Sequence, residues 1–479
     1  MTPSQRNSEP TRSASDLPEK PGLTLCRVAW LLGGLALAGG MAVIAWGRAQ
    51  KGGNASMLIW GQVAVGVAYL ALLAVRPRHV NGRLVMAMLL LAVAMRLPWF
   101  FLPAESGHDY CRYLWDGAVA AHGINPYRHA PQDVASGHVA DPTLQRLAET
   151  GRKTLDGINH PHLRTLYPPA AQGAFGLAYW IAPFDLTGWR VVLLAFDALA
   201  ALAAWGLLRW AGLSPALMFI YLWNPLLIAE TYGGGHVDIL AGAMVAVFAW
   251  SLVAKRPVAA GVSLVLAIGA KLWPVLLLPF LFRVFWGRWR SLALSSAVVA
   301  VGLAFLAVPF AAAFGTSTDS GLLTYARIWE GRAGAYQAFG ELGWWLHGRY
   351  ALSSDGHYIG RGLMLFVLLP AVLWLGLRRA QAPTVLCRRM GWVALLMLLL
   401  GPVLWPWYYV AVIPLAAVAA PRVGLLLWTA LLPLCYLEAS GLSATHLTWL
   451  VHAPVWLALA VEGAWPRCVR RFGREAVHV

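Results

Sequence analysis

The sequence predicts an all-α, polytopic transmembrane helical bundle of about 12–14 spans, with two long outer loops that carry surface helices. Three observations predict it. Of 479 residues, 59% are hydrophobic and only 12% charged, about half the charged share of an ordinary soluble chain. Apolar runs of membrane-crossing length recur along the chain. The basic residues behind the net charge of +16 cluster in short segments between those runs, as cytoplasmic loops do. That distribution excludes nucleic acid as the partner and leaves membrane lipids. The five cysteines, Cys26, Cys111, Cys387, Cys435 and Cys468, show no metal or redox spacing and no disulfide framework.

The elements follow in order. Residues 1–25 are mostly polar and Pro/Ser-rich, and read as a disordered cytoplasmic N-terminus. No signal-peptide pattern is evident, so the first span is expected to be an uncleaved anchor. A transmembrane domain occupies 26–464, and 465–479 is a basic cytoplasmic tail. Apolar runs lie near 26–47, 57–75, 84–102, 189–208, 214–230, 237–254, 291–312, 359–377, 423–439 and 446–464. Two further blocks, 257–283 and 391–420, carry prolines mid-block (Pro274; Pro402 and Pro406) and basic residues at both ends. Each is therefore read as two short helices meeting at the outer face, giving roughly 14 crossings. The outer loops are 103–187 and 313–357. The apolar piece 170–184 would invert everything after it as a crossing, so it is read as a helix on or in the outer leaflet.

Under this topology the unusual polar residues collect on the outer side, and the chain reads as a multi-pass protein of the cytoplasmic (inner) membrane whose active site faces the periplasm or the outside. The most informative stretch is His108–Pro131, HDYCRYLWDGAVAAHGINPYRHAP. Asp109, Arg112, Tyr113 and Asp116 share one helical face, and Gly123 and Asn125-Pro126 end the helix, just before Tyr127. Asp109 is either a general base or the helix N-cap. Arg112 and Asp116 either act on a substrate or pair across one turn. Lys271 sits mid-block between apolar runs, where a charge is functional by default, or else snorkels to the interface. His236 and Asp238 follow three glycines, marking a close-approach loop or an Asp-capped helix start. Asp197 lies inside a span and reads as packing. Trp405, Trp407, Tyr408 and Tyr409 read first as an interfacial aromatic belt, and second as a sugar-stacking surface. Arg96 lies near the outer end of its span.

The run DYCRYLWDG…GINPY…P resembles the first-loop motif of the C-type membrane glycosyltransferases. It is most similar to the bacterial polyprenyl-phosphate-mannose-dependent mannosyltransferases, the family 87-like group. LYPPAAQ, WNPLLIAE…GGGHVD, AIGAKLWPVLLLP and PVLWPWYYVAVIP follow that group's pattern in order, from about Arg96 to Pro414. The outer loop departs from it in YARIWEGRAGAY, where an asparagine is expected soon after the tryptophan, and Cys111 stands where a small or aliphatic residue is usual. The resemblance implies the C-type glycosyltransferase fold. It also implies transfer of a sugar, with a lean to mannose, from a polyprenyl-phosphate donor to a hydroxyl of a lipid-linked or glycan acceptor, with inversion. Asp109 matches the catalytic aspartate. A departing phosphate needs cations, and Lys271, Arg96, Arg112 and His236 are the candidates; Tyr113, Asp116, Asn125, Tyr127, Tyr167, Asp238, Trp407 and Tyr408 complete the expected substrate site. No cofactor is implied, and a divalent metal has no support in the sequence. The competing readings are a transporter or flippase, which also uses broken helices, and a surface-polysaccharide polymerase or ligase.

Overall fold

A computed structural model describes residues 21–50, 54–77, 80–103, 109–311, 320–380, 382–419 and 423–475. His108, residues 1–20 of the expected N-terminus, part of the second outer loop (313–319) and the last residues of the tail (476–479) lie outside the described residues. The fold is all-α, with no strand among the described residues beyond two isolated bridges.

The chain opens with α1 (Pro21–Ala49), α2 (Ala55–Ala74) and α3 (Gly82–Phe101), which pack as a three-helix group. Asn54 and Asn81 cap α2 and α3 by accepting the amides of Met57 and Leu84, satisfying donors that a helix start leaves open. The first loop then forms α4 (Asp109–Ala121), α5 (Pro142–Thr150) and α6 (Pro169–Ile181). The helix α7 (Leu186–Trp210) returns into the bundle. Next come α8 (Asp238–Val253), α9 (Pro257–Ala270), α10 (Leu278–Phe285) and α11 (Trp289–Phe310). The second loop holds α12 (Gly321–Ile328) and α13 (Tyr336–Tyr350). The chain closes with α14 (Gly356–Leu377), α15 (Pro383–Leu400), α16 (Val423–Leu431) and α17 (Ala444–Glu475).

The centre is α8. It packs on α7, on α9 and on the 3-10 segment Pro406–Val412, and is buried along nearly its whole length. Its sequence, DILAGAMVAVFAWSLV, is apolar all round, as a helix without a solvent face should be. A buried ion pair pins α3 to α7: Arg96 Nε donates to Asp197 Oδ2 at 2.7 Å, and the hydroxyls of Tyr221 and Tyr232 donate to the same carboxylate. Losing one partner of such a pair costs about 3–5 kcal/mol.

Among the described residues eight helices are long and apolar enough to cross a membrane: α1, α2, α3, α7, α11, α14, α15 and the first part of α17. Five further apolar helices are shorter: Asp238–Val253, Pro257–Ala270, Trp273–Phe285, Pro406–Ala416 and Gly424–Glu438. The run 214–230 is not one helix. It is a 3-10 turn, two short α-turns around Pro225 and a π-turn at Ala229–Gly233. The run 423–439 becomes 3-10 at Leu432, where Pro433 has no amide hydrogen to give. The block 257–283 breaks at Lys271, whose backbone is extended between α9 and the 3-10 segment Trp273–Leu277. In the block 391–420 the first half is longer than expected: α15 starts at Pro383, and the break falls at Gly401. The segment 170–184 forms α6, which packs on α4, α7, α9 and α11.

One packing detail positions the site. Cys111, Trp115 and Ala118 of α4 join Val134, Leu144, Leu147, Leu155 and Ile158 in a small separate core inside the first loop. Tyr113 and Leu114 face the main core with Phe175 of α6 and Trp189 of α7. The short helix α4 is thus gripped on two faces, and its first residue is Asp109.

Candidate active site

A cavity of about 1240 Å³ opens beside the first turn of α4. This exceeds the roughly 300–1,000 Å³ typical of a single-ligand site. Its wall comes from α4, the loop before α6, the turn between the π-segment and α8, the break after α9, the second long loop, and the break after α15. Arg48 at the end of α1 and Tyr436 line it as well.

Asp109 is partly exposed to this cavity. Its Oδ1 accepts the side-chain amide of Asn159 at 3.3 Å. Burial lifts its carboxyl above the ordinary carboxylate range; the Asn159 hydrogen bond and then the charges of Lys271, Arg112 and His160 oppose that rise. One turn on, Arg112 Nη2 donates to the carbonyls of His160 at 2.9 Å and Asn159 at 3.4 Å. Its Nη1 is buried and has no protein partner. A buried guanidinium nitrogen without a partner is costly and is a ready donor to an anionic ligand.

Lys271 lies at the break between α9 and the following 3-10 segment, where its ammonium pairs with Asp238, the first residue of α8. The ammonium sits 3.8 Å from the centre of the Tyr408 ring, and the Tyr408 hydroxyl is 3.0 Å from that of Tyr325 in the second long loop. Lys271, Asp238, Tyr408 and Tyr325 all line the cavity. The break itself is what puts them there: an unbroken helix would bury Lys271 among apolar neighbours.

His236 stacks on Trp407 with ring centroids 3.9 Å apart, and Trp407 stacks in turn on Trp405 at 4.9 Å. The guanidinium of Arg332 covers the outer face of Trp405 at 3.7 Å. Trp407 thus stacks with two neighbours, His236 and Trp405, and also lines the cavity. Behind this wall, Glu230 lies in the π-turn. It accepts the Tyr436 hydroxyl on both oxygens, at 2.9 and 3.0 Å, and its Oε2 is 3.4 Å from His236 Nε2.

Of the residues expected at the site, Asp109, Arg112, Tyr113, Tyr167, His236, Asp238, Lys271, Trp407 and Tyr408 come together around the cavity. Four do not line it. Arg96 is consumed by Asp197 and by the carbonyls of Ala92 and Leu222. Asp116 shares the α4 face but lies one turn beyond Arg112, where burial raises its pKa and the Arg112 charge and hydrogen bonds from Thr165 and Gln172 oppose that rise; Arg112 gives its hydrogen bonds to carbonyls rather than to Asp116. Asn125 donates to the Pro309 carbonyl, and Tyr127 is buried under Tyr167, donating to its carbonyl at 2.6 Å. The sequence reading missed Asn159, Arg48, Arg164, Tyr325 and Tyr436, which line the cavity, and Glu230 behind them. Glu230 had a signal: it is the lone acid inside an apolar run. Among the described residues no three His, Cys, Asp or Glu side chains converge as a metal site would require.

Fold and site together define a multi-pass α-helical membrane protein that gathers a carboxylate and several cations in one deep cavity. Residues 166–402 match the model of glycosyltransferase family 87, so the chain carries a glycosyltransferase family 87 domain and is a membrane glycosyltransferase. The matched span holds Tyr167, His236, Asp238 and Lys271 and begins after Asp109. No curated protein and no solved structure matches the chain.

Proposed function

We propose that this glycosyltransferase moves a mannosyl group from a polyprenyl-phosphate donor to a hydroxyl of a lipid-linked or glycan acceptor, with inversion, at the periplasmic face of the cytoplasmic membrane. One observation carries the reading. A partly exposed carboxylate, Asp109, shares a cavity with two cations, Lys271 and Arg112, that act on it electrostatically. In this mechanism the acceptor oxygen attacks the anomeric carbon from the face opposite the phosphate. The carbon–oxygen bond to phosphate breaks, and the phosphate keeps the electron pair. The acceptor proton passes to Asp109. Lys271 and the unpartnered Nη1 of Arg112 offset the charge that develops on the leaving phosphate. The raised pKa of Asp109 suits it to take a proton near neutral pH better than a fully solvated carboxylate would. Basic residues at the opposite ends of the apolar segments support the outward orientation. The test supplies polyprenyl-phosphate-[14C]mannose to membranes containing the protein or its Asp109→Asn variant. Label should enter glycolipid or glycan only with the unsubstituted protein. Equal labelling by both would remove Asp109 from the chemistry, and no labelling by either would remove this donor.

A further inference from the structure

The loop between α5 and α6 does more than connect. Gly157 approaches the Sγ of Cys111 so closely that a Cβ there would lie 2.8 Å from the sulfur. This contact lays the next residues along the first turns of α4. Asn159 then sends its side-chain amide to Asp109, while the main-chain carbonyls of Asn159 and His160 hold Arg112. Two consecutive loop residues thus grip both charged groups on successive turns of α4. The His160 ring meets Trp329 of the second outer loop edge to face, 4.9 Å between centroids, and the Arg164 carbonyl accepts the amide of Gly321. The dipeptide is therefore braced from the far side of the cavity. Asn159 itself is exposed to the cavity, so its amide is not needed to satisfy a buried backbone group.

We infer that Asn159 is the positioning residue of the reaction: its amide holds Oδ1 of Asp109, turns Oδ2 toward the acceptor hydroxyl, and stabilises the ionised form of the carboxylate. This rests on the reading of Asp109 as the base. The physical cause is that an amide N–H donates to a carboxylate but gains far less from the neutral acid. A neutral side chain does this without adding a charge that would compete for the phosphate. Among the described residues the Asn159 side-chain amide donates to Asp109, while its contact with Arg112 is through the main-chain carbonyl, so substituting the side chain acts on Asp109. The acidic group and its holder lie fifty residues apart in sequence, on elements that only the folded first loop brings together.

The test uses purified full-length protein in lipid nanodiscs. Infrared difference spectra, wild type minus Asp109→Asn, isolate the C=O band of the protonated Asp109 carboxyl, and its pH titration gives a midpoint. Asn159→Ala should raise that midpoint by about one pH unit, the size expected for one lost hydrogen bond to a charged group. Asn159→Asp keeps size and shape but replaces the donor by a second carboxylate, and should raise it further. Transfer from polyprenyl-phosphate-[14C]mannose at neutral pH should fall about tenfold in Asn159→Ala through kcat, with the donor KM unchanged. An unmoved midpoint in both variants overturns the inference, as does a tenfold loss that appears only in KM. If Asn159→Ala does not insert, the isosteric Asn159→Asp decides alone. Failure of the base reading looks different: Asp109→Asn would keep its transfer activity, whatever the infrared midpoints do.

Discussion

Lys271 and Asp238 form an ion pair where two helices meet: Lys271 follows the last residue of α9, and Asp238 opens α8. The Asp238 side chain is 2% exposed and that of Lys271 is 26% exposed. Each partner therefore holds the other's charge in a place where neither is well solvated.

The first prediction follows from that asymmetry. Lys271→Met strands a buried carboxylate, and should lower stability by on the order of 3 kcal/mol as well as abolish donor use. Adding Asp238→Asn removes the stranded charge, so the double variant should recover the melting temperature but not the transfer activity. Thermal unfolding in detergent, read beside the sugar-transfer assay, separates the two. A single Lys271→Met variant with normal transfer would return Lys271 to the role of an interfacial lysine.

Asp109→Asn should leave insertion and folding intact and reduce transfer about 10²- to 10⁴-fold, the usual worth of a general base. Size-exclusion profile and turnover are the measurements. Loss of the folded peak would point to a structural carboxylate instead.

The pH dependence has a definite sign. Burial raises the Asp109 pKa, and the base must be ionised to accept a proton. Activity should therefore disappear as pH falls, with a midpoint above the ~3.9 of a solvated aspartate. A rate that stays flat down to pH 4 would contradict the assignment.

Gly234→Ala should disturb His236. A Cβ on Gly234 would stand 2.5 Å from both Cδ2 and Nε2 of the His236 ring. That ring is held from the other side by Trp407 and cannot simply step away. A loss of about 1–3 kcal/mol in stability is expected, as for overpacking elsewhere, together with weaker transfer. Tryptophan fluorescence should report the displaced stack.

Orientation is tested by thiol labelling in a background without native cysteines. A cysteine at Ser136, which is exposed in the first loop, should react with an impermeant reagent on intact cells. A cysteine at Arg379, in the short basic connection between α14 and α15, should react only after permeabilisation. The reverse pattern would move the cavity to the cytoplasmic side.

The legible part of the fold was the part that apolar periodicity and length decide. The all-α class, the long spans and the break at Lys271 all follow from hydropathy, charge and proline position. The breaks near Pro225 and Pro433 were harder to see, because an apolar run looks the same to a hydropathy count whether it is helical or 3-10. At the site, residues with a local signature were visible: Asp109 and Arg112 by helical spacing, His236 and Asp238 by the glycines before them, Lys271 by its apolar surroundings. Asn159 and Tyr325 were not, since each matters only through a contact made across the folded loops, and nothing in their own neighbourhoods marks them. Arg96 misled for the opposite reason. Its charge was conspicuous, but its partner Asp197 lies 101 residues away, beyond any local pattern.

The small apolar core inside the first loop divides the protein between two solvents. Its cohesion comes from excluding water, whereas helices surrounded by lipid gain nothing from that exclusion and are held by close packing and hydrogen bonds. Cooling weakens the first kind of cohesion and leaves the second largely untouched. Detergents that invade helix contacts do the reverse. The grip on α4, and with it the aim of Asp109, should thus be sensitive to cold, while the floor of the cavity is sensitive to its amphiphile. A preparation that looks intact by one criterion has been examined in only one of its two solvents.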